Sequence, residues 1–302
     1  MVGSSLPRRA LGRRLRNYRE QASKSQLTAG LHIDLSPQSI GRIEDGQKVK
    51  LSTGQIRDLL DLYDVPDSGG EREEVLGLWQ EVGDQAQAAK LAGTTKGWWQ
   101  AYTDQYAPHF DHYLSLEAVA NRLTTHQTVL LPGLLQTTGY RRAVSRIAYP
   151  NHSSVDIDRR VELAAHRQVR LADNNFRVNI LLSEAVIRQT PGGPAVMVEQ
   201  LEHILQVATT RSNVSIRVVP LRSGSHLGLI VQSFTLLEFP PLANHLIEPP
   251  VVYVEGFEGA LYLERTDMID RHRQAINDIQ RVALSEDDTK QLVQQIAKEC
   301  TA

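Results

Sequence analysis

The stretch Ser36-Pro37-Gln38-Ser39-Ile40-Gly41-Arg42-Ile43-Glu44-Asp45-Gly46 decides how the first part of this chain folds. Ser36 is a good helix N-cap, because its hydroxyl can accept an orphan amide hydrogen of the first turn. Pro37 then takes the first helical position, where its missing N–H costs nothing. Ile40 and Ile43 stand three apart and share one buried face. Gln38, Ser39 and Arg42 lie off that face, and Gly46 is placed to stop the helix. A short capped helix with a narrow apolar side and an amide, a hydroxyl and a guanidinium opposite can enter a DNA major groove. There Gln pairs bidentately with adenine and Arg with guanine.

Working outward, Pro7 to Gln21 reads as an arginine-rich helix. Leu11, Leu15 and Tyr18 form its apolar side, and Arg8, Arg9, Arg13, Arg14, Arg16 and Arg19 crowd the rest. Ser25 to His32 reads as a second short helix, capped by Ser25 and begun by Gln26, with Asp34 in the turn that follows. Gln47-Lys48-Val49-Lys50 makes a basic loop, and Ser52 can cap a further helix from Thr53 to Tyr63. Four or five short helices in about 65 residues fold as an independent module.

This stretch resembles the phage-repressor and Xre family of helix-turn-helix domains. The matching residues are Leu11-Gly12, Leu15-Arg16, Arg19-Glu20, Gln26 and Ser36 to Gly46. The resemblance implies that Gln26 opens the second helix and touches the phosphate backbone, while Gln38, Ser39 and Arg42 face bases or nearby phosphates. With Ser36, Lys48 and Lys50 these make the expected DNA-binding set, the two lysines falling on phosphates. Lys24, Ala29 and Asp34 depart from the family pattern, which predicts weaker packing of the second helix. Asp34 tolerates left-handed geometry better than most residues. The same fold can also serve protein interaction; capping, turn length and surface chemistry together favour DNA.

The chain has 302 residues, enough for two or three domains, and a net charge of −2. Its distribution is informative: residues 1–65 carry +4 and the remainder −6. A basic module on an acidic body fits local phosphate contact. Cys300 is the one cysteine, so no internal disulfide can form, which fits a reducing compartment. The N-terminus has no apolar core of a secretory signal, and no apolar run approaches the length of a membrane span. A cytoplasmic protein is expected.

Asp67-Ser68-Gly69-Gly70 marks a first boundary, followed by a helix from Glu71 to Leu91 with Val75, Leu78, Trp79 and Val82 at helical spacing. Gly93-Thr94-Thr95 breaks the pattern. An aromatic stretch, Trp98, Trp99, Tyr102, Tyr106, Phe110 and Tyr113, reads as core or interdomain contact. Leu114 to Leu123 reads as helical. Val129 to Leu135 reads as a buried strand or loop feeding a helix from about Thr138. Asp156 to Asp173 reads as a charged helix whose Arg159, Arg160, Arg167 and Arg170 form a solvated face, with a second DNA contact as the alternative. Then come a strand at Phe176 to Leu182, a helix at Ala195 to Thr210 and a strand at Asn213 to Pro220, an order that predicts parallel pairing. Phe234 to Phe239 and Val251 to Glu255 are further strands. Helices at Thr266 to Leu284 and Asp287 to Lys298 close the chain.

The expected fold is therefore mainly α with a mixed α/β C-terminal domain, behind an N-terminal phage-repressor-like helix-turn-helix bundle. The expected divisions are 1–67 for DNA binding, 68–112 as a helical interdomain segment and 113–302 as an effector or partner-binding domain. The larger part carries its own resemblance, in Tyr113 to Ala118, Leu131-Pro132-Gly133-Leu134-Leu135-Gln136-Thr137 with Tyr140, Glu184 with Ile187-Arg188, Gln200-Leu201 and Val218-Val219-Pro220. It looks like the C-terminal domain of WhiJ-type actinobacterial regulators, whose members are often labelled antitoxin-like. That resemblance implies a DNA-binding regulator working with a small partner protein, and supplies no ligand residues.

Catalytic chemistry finds little support. His109-Phe110-Asp111-His112 lacks the further ligands that zinc needs. Ser223 to Gly228 does not fit a nucleophile elbow. There is no Walker motif and no dinucleotide fingerprint. No enzyme activity, cofactor or metal is expected. Two function classes follow. The first is a homodimeric regulator of a pseudo-palindromic operator whose C-terminal domain senses a small ligand or a partner protein. The second is an antitoxin-like interaction protein that neutralises a small partner, through Leu130 to Leu135 or the aromatic stretch, and binds DNA for autoregulation.

Overall fold

The computed structural model describes residues 6–91, 97–242 and 247–301. Gly93-Thr94-Thr95, read above as a break, lies outside them. The chain forms two compact units: residues 1–101, 110–119 and 240–248 make one, and residues 102–109, 120–239 and 249–302 the other.

The first unit is built on five helices: α1 (Leu6–Gln21), α2 (Gln26–His32), α3 (Pro37–Glu44), α4 (Thr53–Leu62) and α5 (Glu71–Leu91). Leu11, Leu15, Ile40, Ile56, Leu59 and Leu60 are buried in its core, as the helical spacing predicts. Ser52 and Gln55 make a full capping box at the start of α4. α1 packs on α3 and α5, and α2 on α3 and α4. Gly12 makes the α1–α3 approach feasible: a Cβ there would lie 2.3 Å from the Ile43 carbonyl oxygen. The segment at 240–248 belongs to this unit although it is distant in sequence. Its buried Glu248 pairs with Arg9 at 3.6 Å and with Arg13. A sixth helix, α6 (Pro108–Glu117), buries Tyr113 and Leu114.

The second unit holds a six-stranded mixed sheet of β1 (Arg122–Gln127), β2 (Arg177–Ser183), β3 (Val214–Val219), β4 (Phe234–Glu238), β5 (Val251–Glu255) and β6 (Ala260–Leu263). Its order is β3-β2-β1-β4-β5-β6. β1, β2 and β3 run parallel, and β4, β5 and β6 continue antiparallel. The helices are α7 (Thr138–Ala148), α8 (Ser154–Gln168), α9 (Glu184–Arg188), α10 (Pro194–Thr210), α11 (Thr266–Val282) and α12 (Glu286–Glu299). α10 is the crossover that makes β2 and β3 parallel, as expected. Leu181, Val219, Phe234, Leu236 and Val252 cover one sheet face with Ile269, Ile276 and Ile279 of α11.

One stretch differs from expectation. The helix expected over Leu114 to Leu123 ends at Glu117, and the chain turns into β1, a central strand of the sheet. Its polar residues hid it, yet Thr124, Thr125 and His126 are buried in a strand flanked by β2 and β4. The Thr125 hydroxyl donates to the Phe234 carbonyl at 2.9 Å. Val129 to Gln136, expected as a buried strand or loop feeding a helix, is a loop with a single 3₁₀ turn at Gly133–Leu135, and α7 follows from Thr138. Gln200, fully buried, holds it by donating to the Leu135 carbonyl and accepting from the Thr137 amide, each at 2.7 Å. The Tyr140 hydroxyl accepts from the Leu131 amide at 3.3 Å. These bonds give the Pro-Gly-Leu-Leu-Gln-Thr segment a structural reason.

Candidate nucleic-acid interface

α2, a tight turn and α3 form the helix-turn-helix. The Ser25 hydroxyl caps α2 by accepting from the Thr28 amide at 3.0 Å. Asp34 then adopts a left-handed φ of 55°, and the Leu35 amide donates back to the Gly30 carbonyl at 2.8 Å. Ser36 caps α3, its hydroxyl accepting from the Ser39 amide at 3.2 Å and lying 3.0 Å from the Ser39 hydroxyl. Gly46, with φ 69°, ends the helix: its amide donates to the Ile43 carbonyl, and the Gln47 amide to that of Arg42 at 2.8 Å.

Ile40 and Ile43 are buried, while Gln38 and Arg42 are exposed and Ser39 is half-buried. Lys48 and Lys50 are exposed in the loop that follows. The side chains of Gln38, Arg42, Lys48 and Lys50 make no hydrogen bond or ion pair with any described residue. Leu27 and Leu31 of α2 are also exposed, at 55% and 72%, so this helix buries little beyond Ala29 and Gly30.

The arginines of α1 behave differently. Arg14 pairs with Glu74 at 2.6 Å and Arg16 with Asp45 at 2.5 Å. Arg19 grips Glu44 with two parallel bonds, Nε to Oε1 at 2.5 Å and Nη2 to Oε2 at 3.0 Å. Arg9 and Arg13 turn to Glu248. Five of the six α1 arginines that made the sequence look most basic are thus matched internally, while Arg42, Lys48 and Lys50 face solvent.

Glu44, at the end of α3, is the hub that sequence reading missed. It is 2% exposed and accepts from Arg19 of α1 and, at 3.0 Å, from Gln26 of α2. Burial pushes its carboxyl up, but the hydrogen bonds from Arg19 and Gln26 and the nearby guanidiniums outweigh this and hold it below the ordinary range. Its position beside Ile43 on the inner face was the available signal, since a buried Glu needs partners. Gln26 therefore has one amide hydrogen committed inside the domain.

Elsewhere the side chains singled out in the sequence do structural work. The Asp111 carboxylate accepts from Trp99 Nε1 at 3.1 Å and Gln100 Nε2 at 2.7 Å. The helix face expected to be solvated is not: Arg160 and Arg167 are buried. Leu131, Leu134, Leu135 and Trp99 are buried too, which removes them as an open partner surface. A cavity of about 530 Å³ opens beside β1, β2 and β3, lined by Arg122, Thr124, Arg177, Asn179 and Ser215 among others, with no carboxylate, histidine or thiol in its walls. Among the described residues no group of three or more His, Cys, Asp or Glu is placed to hold a metal ion, and no helix is long and apolar enough to cross a membrane.

Comparison with protein families gives two matches: a helix-turn-helix domain over residues 10–75, and the domain of unknown function DUF5753 over residues 110–295. The chain belongs to the DUF5753 family, joined here to a helix-turn-helix domain that supports a DNA-binding regulatory role. No curated protein and no solved structure matches it.

Proposed function

We propose that this protein is a sequence-specific transcriptional regulator that reads its operator with α3. Gln38, Ser39 and Arg42 contact base edges, with Ser36 at the helix start beside the backbone. Lys48, Lys50 and the remaining amide hydrogen of Gln26 meet phosphates. The observation that carries this is the outer face of α3, where Gln38 and Arg42 are exposed and unengaged while Arg14, Arg16 and Arg19 of α1 are paired. One such helix reads too few bases for useful selectivity, so the operator is pseudo-palindromic and the active form a homodimer. The DUF5753 domain senses a small ligand or a small partner protein and shifts the DNA-binding equilibrium, which requires different ligand affinities in the two states. The residue resemblance to WhiJ-type regulators supports that division of labour, and the single cysteine fits a cytoplasmic setting.

The test is operator binding by Arg42→Ala and Gln38→Ala. Each lost base contact costs about 1–3 kcal/mol and relaxes selectivity at one position. Unchanged affinity and selectivity in both would overturn the assignment of the reading residues. A second reading, neutralisation of a small partner with DNA binding for autoregulation, draws on apolar surface at Leu221, Leu229 and Ile230, each more than 60% exposed. Recovery of a stoichiometric small protein with the tagged chain from its native cells, lost on Leu229→Asp and Ile230→Asp, is its expected result.

A further inference from the structure

α7 and α8 pack together in the second unit, and three arginines meet there. Arg141 comes from α7, Arg160 and Arg167 from one face of α8, two turns apart. Arg160 and Arg167 are only 5% and 8% exposed. The Nε–H groups of Arg141 and Arg160 are buried with no acceptor among the described residues. Arg160 stacks on the Tyr149 ring at 3.7 Å, which fixes its plane without using its donors. Arg141 has one long bond, from Nη1 to Gln136 Oε1 at 3.4 Å. Gly133 leaves space for Arg167, whose Nη1 would lie 2.6 Å from a Cβ there. Burial, then repulsion from Arg167 and Arg160, pushes the Arg141 guanidinium down to about 10, against the opposing charge of exposed Glu255 at the end of β5.

Buried guanidiniums ordinarily sit against carboxylates, because an unpaired charge away from water is costly. Here three mutually repelling cations lie together, and the Nε–H groups of Arg141 and Arg160 find no acceptor among the described residues. Planar guanidinium forks match the oxygens of phosphate and carboxylate. We propose that Arg141, Arg160 and Arg167 form a binding site for a small oxyanion, a phosphate- or carboxylate-bearing metabolite carrying two negative charges. The burial of Arg160 favours a small molecule over a protein surface. Glu255 opposes the ligand and tunes its affinity. The site does not depend on α3 reading DNA; only its regulatory consequence rests on that proposal.

The experiment uses the full chain, titrated with inorganic phosphate and with succinate at ionic strength fixed by sodium chloride, and followed by calorimetry and thermal unfolding. Saturable binding of at least one anion is expected, with a rise in Tm that tracks occupancy. Arg141→Gln weakens it at least tenfold, and Glu255→Gln tightens it several-fold. Arg160→Gln weakens it likewise if circular dichroism shows it folded; should it not fold, Arg141→Lys, which keeps the charge and loses the fork, takes its place with the same expected loss. Preference for phosphate or for succinate tells the two chemistries apart. Absence of saturable binding, or Arg141→Gln and Glu255→Gln that bind like the parent chain, overturns the proposal. Binding that leaves operator affinity unchanged keeps the site and sinks the sensing role.

Discussion

Two arginine clusters in this chain follow opposite rules. In the first unit Arg16 and Arg19 converge on one buried carboxylate, Glu44, and Gln26 completes its shell. In the second unit Arg141, Arg160 and Arg167 converge on each other, and two of their Nε–H groups find no acceptor among the described residues. The first arrangement is self-sufficient and holds α1, α2 and α3 in one geometry. The second is incomplete by itself. Saturated networks rigidify, whereas unsatisfied ones mark a place where something else binds. The difference divides the molecule into a part shaped to present a surface and a part shaped to receive a ligand.

The largest expected effect comes from breaking the saturated cluster. Glu44→Gln leaves Arg19 without its buried counter-charge, with only exposed Glu20 beside it, and costs about 4 kcal/mol, read from denaturant unfolding of the helical unit. The pH dependence has a defined sign. Because the folded carboxyl sits below its ordinary range, its contribution is complete above that range and is lost as pH falls through the lower folded value. Acid titration of stability is therefore flatter in Glu44→Gln than in the parent chain. Glu248→Gln, removing the buried partner of Arg9 and Arg13, costs about 3 kcal/mol by the same measurement. The opposite sign is expected in the second cluster. Arg141→Met, in buffer free of multivalent anions, raises stability by about 1 kcal/mol, since it removes a repelled charge and keeps most of the volume. A loss of several kcal/mol there would show that the arginine is structural and would erase the contrast.

How much of this was legible depended on where each element finds its partners. α1, α3, α4 and α5 were readable because caps and apolar spacing are local: Ser36, Pro37 and Gly46 stand within the helix they define. β1 was not, because Arg-Leu-Thr-Thr-His-Gln shows no apolar alternation, and its burial is imposed by β2 and β4 from residues far along the chain. β6 is a four-residue edge strand and gave a signal too short to separate from loop. At the candidate interface the reading residues could be named from one helix. The pairing of the α1 arginines could not, since Glu74 and Glu248 lie 60 and 235 positions away. Counting charge in the sequence overstated α1 as a polyanion contact and hid the cations that stay open.

That distinction makes a smaller prediction in DNA binding. Lys48→Ala weakens binding to every sequence alike and reduces the slope of log affinity against log salt by about 0.9, the value for one phosphate neutralised. Arg14→Ala, whose partner is Glu74, leaves that slope unchanged. Filter-binding or anisotropy across a salt series checks both. Equal slopes for the two variants would remove the contrast between matched and open cations.

The smallest effect tests the turn that joins α2 to α3. Asp34 stands at φ 55°, where an L-residue is strained and glycine is not. Asp34 is exposed there, and its side chain makes no hydrogen bond or ion pair with a described residue. Asp34→Gly thus removes backbone strain at the cost of a more flexible unfolded chain, and the two terms nearly offset. A net gain of about 0.5 kcal/mol in thermal unfolding is expected, with Asp34→Ala moving the other way by about 1 kcal/mol because Cβ strain stays and the local polar tolerance goes. If Ala were as stable as Gly, the turn would not be holding this geometry in solution. The angle at which α3 leaves α2, and with it the presentation of Gln38 and Arg42, would then be set by the Glu44 cluster alone.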